Sequence, residues 1–315
     1  MTVHPPRVIT ATGLTKSYGR HRALSGVDLD VRQGEIFGFL GPNGAGKTTT
    51  IRIMLDLIRR DEGELSVLGH DPRTDGVHIR RDIGYLPGEL AMSSRRPARE
   101  LLTYLGNLRG GVSRGRIDEL ARRLGLDLAR PIRGLSKGNK QKVGLVQAFM
   151  HEPRLLVLDE PTSGLDPLLQ QEFLAMVREA RDEGRTVFMS SHVLSEVQDV
   201  ADRAAIIRRG RIVAVEDMDA LRERSSRKIT LRFTEPVSGD QFAAAENVRE
   251  VAVEGDTLHC VVDGSPDALV KLAAQHTVLT LTSEEPDLEE LFFIHYNGGG
   301  ADAGAEGEAD RDAAA

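Results

Sequence analysis

The sequence has no tryptophan, one cysteine and only four tyrosines among 315 residues. Aromatics at 4% argue against a nucleic-acid platform built on base stacking. The lone Cys260 rules out an internal disulfide and fits a reducing compartment. No apolar run approaches the ~18 residues that a membrane-spanning helix needs. The opening MTVHPPRVIT lacks an apolar core, so no secretory signal is expected. Basic excess is also missing. Asp and Glu outnumber Lys and Arg by 48 to 41, a net charge of −7, whereas a phosphate-backbone binder carries the opposite sign. A chain outside the bilayer, with no nucleic-acid partner, is the expectation, and any membrane role must come through another protein.

What is present is ordinary for a globular protein, with 40% hydrophobic and 28% charged residues, enough to bury a core. Residues 7–217 alternate short apolar runs with longer helical patterns, the rhythm of an α/β fold around a mainly parallel sheet. Residues 218–227, MDALRERSSR, form a charged linker. In residues 228–296 the rhythm changes. KITLRF, VREVAV, TLHCVV and TVLTLT read as strands, with short helices in SGDQFAAA and SPDALVKLAAQ. That order is β-α-β-β-α-β, so a small α+β, ferredoxin-like domain is predicted. A last helix in PDLEELFFIHY spaces Leu288, Leu291 and Phe292 on one face. The tail 297–315 holds five acidic residues and one Arg among Gly and Ala, and is expected to be disordered because it cannot offset its ordering entropy.

The chemistry concentrates in two places. The run EIFGFL leads into Gly41-Pro42-Asn43-Gly44-Ala45-Gly46-Lys47-Thr48, followed by the helical TTIRIMLDLI. This is G-x-x-x-x-G-K-T in a strand–loop–helix setting, the phosphate loop of P-loop NTPases. Glycines let backbone N–H groups curl around phosphate oxygens, and the helix N-terminus adds partial positive charge. Lys47 can reach the β and γ phosphates, and Thr48 can offer its hydroxyl to Mg²⁺. The second place is Leu155 to Glu160, four apolar residues tipped by two acids. Ligands of open α/β sheets sit at such strand ends. Asp159 can hold Mg²⁺ and Glu160 can orient or deprotonate a water.

Between and after these segments come Leu135-Ser136-Lys137-Gly138-Asn139, then Pro161-Thr162-Ser163-Gly164-Leu165-Asp166, then TVFMSS ended by His192, while Tyr18 sits upstream in LTKSYG. In that order they resemble the LSGGQ signature, the D-loop, the switch histidine and the adenine-stacking aromatic of ABC transporter ATPases. The resemblance covers 7–217 and implies the family's helical insertion within the P-loop fold. It also implies ATP and Mg²⁺ as cofactors. Tyr18 would stack on adenine, Gly41 to Thr49 would wrap the triphosphate, and Thr48 and Asp159 would serve Mg²⁺. Glu160 would serve the water and His192 the γ-phosphate. Ser136 and Gly138 would reach the nucleotide of a second copy in an ATP-sandwich homodimer.

Two departures stand out. Gly88, in Tyr85-Leu86-Pro87-Gly88-Glu89, takes the place of the family's Gln; Glu89 or a water could substitute. Lys137 and Asn139 replace the Gly and Gln of the signature. The LSKGNKQKVGL form, YLPGEL and the ending PDLEELFFIHY resemble ATPases of ABC-2-type exporters of drugs, antibiotics or lipids. That subtype implies a separate membrane permease, with this chain peripheral on the cytoplasmic face. Arg95, Arg96 and Arg99 follow the Gly88 loop, in the region where such proteins meet the permease, and could face permease acids, lipid headgroups or only solvent. The alternatives are an ABC-type ATPase acting on nucleic acid or ribosomes, and a regulatory or self-resistance protein that binds nucleotide without transport.

Overall fold

The computed structural model describes residues 5–224 and 226–284. The expected last helix and the acidic tail lie outside them. The chain divides into two compact units, with the division between Glu216 and Asp217.

In the first unit the elements run β1 (Arg7–Tyr18), β2 (His21–Arg32), β3 (Ile36–Leu40), α1 (Lys47–Met54), β4 (Glu62–Val67), α2 (Pro72–Arg81), β5 (Ile83–Leu86), α3 (Ala98–Leu108), α4 (Arg114–Arg123), α5 (Lys137–Phe149), β6 (Leu155–Asp159), α6 (Pro167–Asp182), β7 (Thr186–Ser191), α7 (Leu194–Gln198), β8 (Arg203–Arg208) and β9 (Arg211–Asp217). Six strands form one sheet in the order β5-β6-β7-β3-β8-β9, parallel from β5 through β8. Every residue of β3, β6 and β7 is buried, as expected where a parallel sheet is covered on both faces. Phe188 of β7 packs against Phe37 and Phe39 of β3, with ring centroids 6.0 and 5.3 Å apart.

A second, antiparallel sheet in the order β2-β1-β4 shares this core through Ile9, Leu14, Leu24 and Val27. The mainly parallel reading of residues 7–217 did not foresee it. Between β5 and β6 the chain inserts α3, α4 and α5, which pack on one another. Arg123 on α4 holds Glu172 and Glu179 of α6, with its Nε 2.6 Å from Glu172. This is the helical insertion expected from the resemblance.

The second unit runs α8 (Met218–Arg224), β10 (Ser226–Phe233), α9 (Gly239–Ala243), β11 (Val248–Glu254), β12 (Thr257–Asp263), α10 (Asp267–Ala273) and β13 (Val278–Glu284). Its sheet order is β11-β12-β10-β13, antiparallel throughout, which is the ferredoxin-like topology expected from the strand and helix order. Ile229, Leu231, Phe233, Leu258 and Val262 alternate onto one face and bury against Phe242 and Leu269 of the helices. Cys260 belongs to this core, and burial pushes its thiol up to about 11.

One half-buried polar post fixes the edge of the large sheet. Arg109 donates to the carbonyls of Arg80 and Ile83 and to His151 Nε2, which lies 2.7 Å away. Burial, then the guanidinium charge, pushes His151 down to about 4, because a second proton there would face Arg109. The unfolded chain takes up that proton near pH 6.5, so it binds more protons than the folded chain between about 6.5 and 4. This contribution is complete above pH 6.5 and is lost as pH falls toward about 4. Urea melts across this window should show a shallower loss of stability for His151→Gln than for wild type, by up to about 3 kcal/mol at the acid end. Equal slopes would refute the assignment.

Candidate nucleotide site

The site forms where β3, β6 and β7 end side by side. The loop after β3 is closed by short contacts. Gly41 N–H donates to Ser191 O at 3.3 Å and Ala45 N–H to Pro42 O at 3.1 Å. Two glycines are sterically required. A Cβ on Gly41 would lie 2.3 Å from Ile207 O, and Gly46 holds φ 115° directly before α1. Lys47 opens the helix, and its ammonium turns onto Gly41 O at 2.5 Å and Pro42 O at 3.4 Å. Asn43 and Gly44 are exposed at the loop tip, while Pro42, Thr48 and Thr49 are half-buried.

Asp159, at the tip of β6, is 1% exposed, so its carboxylate must be satisfied by neighbours. Thr48 Oγ1 donates to one oxygen at 2.8 Å and Ser190 Oγ to the other at 2.6 Å. Ser190 also accepts from Glu160 N–H at 3.1 Å. Glu160 follows with φ 49°, a left-handed conformation uncommon for a residue with a side chain. Its Oε1 lies 3.1 Å from Lys47 Nζ and its Oε2 2.6 Å from His192 Nδ1. Burial, then the negative charge of Asp159, pushes the Tyr85 phenol up to about 12, leaving it neutral.

Lys47, Thr48, Asp159, Glu160 and His192 are therefore one connected cluster. Tyr18, Ser136 and Gly138 are not joined to it by hydrogen bonds or ion pairs among the described residues. Tyr18 ends β1, 48% exposed, with Lys16 Nζ 5.7 Å from its ring. Ser136 caps α5, accepting from Asn139 N–H at 3.3 Å. Gly138 approaches the Gly164 carbonyl so closely that a Cβ would lie 2.6 Å from it. Beside them, Lys137 Nζ is 3.4 Å from Ser163 Oγ. Ser190 was missed by sequence reasoning, as was the buried Gln141, which donates to Pro161 O at 3.0 Å. The paired serines closing the apolar run TVFMSS were the available signal.

The donor set for a metal is small. Among the described residues there is no group of three or more His, Cys, Asp or Glu side chains able to hold one. One hydroxyl and one carboxylate, both oxygen donors, suit Mg²⁺ completed by phosphate oxygens and water.

The family model described as "ABC transporter" matches residues 24–163, spanning the phosphate loop, the signature and the acid-tipped strand. The bacitracin transport ATP-binding protein BcrA of Bacillus licheniformis is 32% identical, over 93% of this chain and 98% of its own length. The chain belongs to the ABC transporter ATP-binding family. The daunorubicin/doxorubicin resistance ATP-binding protein DrrA of Streptomyces peucetius is 36% identical, over 85% of this chain and 82% of its own. The linearmycin resistance ATP-binding protein LnrL of Bacillus subtilis is 32% identical, over 90% and 97%. A solved ATP-binding subunit of an ABC transporter, 30% identical, superposes with a TM-score of 0.63 over 68% of this chain and 92% of that one. As a member of this family the chain is a nucleotide-binding ATPase.

Ser190 positions Asp159 and the Glu160 backbone, so Ser190→Ala should slow ATP hydrolysis roughly 10- to 100-fold, with nucleotide affinity much less affected. Steady-state ATPase assays beside equilibrium binding of labelled ATP check this, and an unchanged turnover rate would remove Ser190 from the site.

Gly88 faces Asp159, since a Cβ there would lie 3.4 Å from Asp159 Oδ2, an ordinary contact, whereas Glu89 is exposed. Gly88→Gln should therefore be accommodated, keeping turnover within roughly twofold. Glu89→Ala should leave the Mg²⁺ dependence of ATPase activity in place. A several-fold rightward shift of that titration for Glu89→Ala would instead assign the metal contact to Glu89.

Proposed function

We propose that the chain is the ATP-hydrolysing motor of an ABC-2-type exporter that moves an antibiotic, drug or lipid through a separate membrane permease. The observation that carries this is similarity over most of both chains to transport and resistance ATP-binding proteins, together with a cluster in which Glu160 touches both Lys47 and His192. A protein that only sequesters nucleotide has no use for that carboxylate. No helix of the described residues is long and apolar enough to cross a membrane, in keeping with a peripheral subunit at the cytoplasmic face of its permease.

The chemistry follows from the cluster. Phosphate oxygens compete with Glu160 and the loop carbonyls for the Lys47 ammonium, and a charge-assisted contact to phosphate is the stronger. Glu160 is then released from Lys47 but still held by His192, and its carboxylate can accept a proton from a water aimed at the γ-phosphate. His192 steers that carboxylate and reaches toward the same phosphate. Tyr18 stacks on adenine at the exposed end of β1. Mg²⁺ held by Thr48 and Asp159 would neutralise charge building on the β and γ oxygens. Ser136 and Gly138, at the N-terminus of α5, make no hydrogen bond or ion pair with this cluster, so they serve the site of a second copy, and two ATP molecules lie between two chains.

Glu160→Gln keeps the side-chain shape and removes the base. Hydrolysis should fall about 10²- to 10⁴-fold while ATP still binds. The trapped nucleotide should hold two copies together, read as a dimer by sedimentation with Mg-ATP and a monomer without it. A variant that remains monomeric at saturating ATP would refute the shared-site arrangement.

A further inference from the structure

An arginine cluster lies outside the nucleotide site. Two stretches some thirty-five residues apart run side by side, Ser94 to Ala98 and Arg130 to Arg133, through an antiparallel bridge between Pro97 and Pro131. Three backbone bonds close it: Ala98 N–H to Arg130 O at 3.1 Å, Ile132 N–H to Arg96 O at 3.2 Å and Arg133 N–H to Ser94 O at 2.9 Å. Ala98 and Ile132 are fully buried, and both prolines fix their own φ, so the backbone beneath the cluster is held firmly.

On this base Arg95, Arg96, Arg130 and Arg133 are all exposed. Arg96 has Glu100 at 3.6 Å. No carboxylate among the described residues pairs with Arg95, Arg130 or Arg133, although neighbouring Arg99 is neutralised by Asp118 at 2.6 Å. Like charges gathered without a counter-charge repel, and this happens in a chain whose net charge is −7. What sets the cluster apart is that three guanidinia without an acid are carried together on one bridged, exposed edge.

We propose that this cluster docks on the anionic phospholipid headgroups of a membrane surface. The guanidinium fork matches phosphate oxygens in a bidentate way. The cluster is displayed on an exposed edge, within reach of an array of headgroups. The inference rests on the reading of the chain as a membrane-peripheral motor only in expecting a bilayer nearby; it concerns a contact made by this chain itself, without the permease.

The test is co-sedimentation of the purified full-length chain with vesicles of phosphatidylglycerol and phosphatidylcholine in equal parts, against pure phosphatidylcholine. Each arginine near an anionic surface contributes about a fivefold gain, so three give a preference on the order of a hundredfold. That preference should fall with added salt, since exposed charges are screened. Replacing Arg95, Arg130 and Arg133 together by Gln should abolish it while ATPase activity persists, and the single Arg130→Gln should lose about fivefold. The single variant keeps the test valid if the triple variant does not fold. Equal binding to both vesicle types by the wild type, undiminished binding by the folded variants, or capture by an acidic polypeptide such as polyglutamate without any by vesicles, would each overturn the proposal. The ATP-dependent dimerisation of Glu160→Gln is read separately, so either result stands without the other.

Discussion

The buried carboxylate of Asp159 is the constraint on which the nucleotide site depends. At 1% exposure it cannot rely on water, and its two oxygens take hydroxyl protons from Thr48 on α1 and Ser190 on β7. A carboxylate stripped of these bonds would bear a desolvation cost of several kcal/mol. The three segments are therefore held in mutual register by the same group that is suited to a divalent cation. The parallel sheet makes this possible: β6 and β7 pair so that Asp159 lies opposite Ser190, and β7 lies between β6 and the strand leading into the phosphate loop.

That register explains what was and was not legible in the sequence. The phosphate loop is a local object in sequence; its glycines, Lys47 and Thr48 fall within eight residues, although the contacts that require Gly41 and hold Thr48 come from Ile207 and Asp159. Asp159 and Glu160 were legible because a fully apolar strand ending in two acids has few other readings. Ser190 was only half legible: the serines closing TVFMSS mark a polar strand end, but its role comes from standing across from Asp159, and strand order is a property of the whole sheet. The antiparallel β2-β1-β4 sheet escaped for a related reason. Its strands share a core with the parallel sheet, so their apolar positions read as one more alternating run. The ferredoxin-like order of the second unit, by contrast, was readable from alternation alone. Its strands bury one face only, so Ile229, Leu231 and Phe233 stand out against Lys228, Thr230 and Arg232.

The helical insertion shows a division of labour in the chain. It enters at Gly88, next to Asp159, and returns through α5, whose first turn carries Ser136 and Gly138. Arg123 ties it to α6, and Gly138 lies against the carbonyl of Gly164, in the turn before α6. Gly138 accordingly has a steric reason to be glycine that is independent of any nucleotide contact. The Lys137 substitution in the signature leaves that approach intact, because its side chain extends toward Ser163 rather than between the two backbones.

The backbone of Glu160 carries the last step of this logic. Its φ of 49° costs about 1–2 kcal/mol for a residue bearing a Cβ. Glycine would remove that cost, but it would also remove the carboxylate. The strain is offset locally, since the N–H of Glu160 reaches both Ser190 O at 3.2 Å and Ser190 Oγ at 3.1 Å. The turn it produces is what separates two adjacent acids into different roles. Asp159 continues the strand into the buried sheet, where hydroxyls and a metal can meet it. Glu160 is swung out of line, where it is one-fifth exposed and can touch Lys47 on one side and His192 on the other. Two consecutive carboxylates on an unbroken strand would point to opposite faces of the sheet, and one would be buried away from the phosphate loop. The left-handed turn is therefore the local distortion that brings both acids to the same end of the sheet with different neighbours.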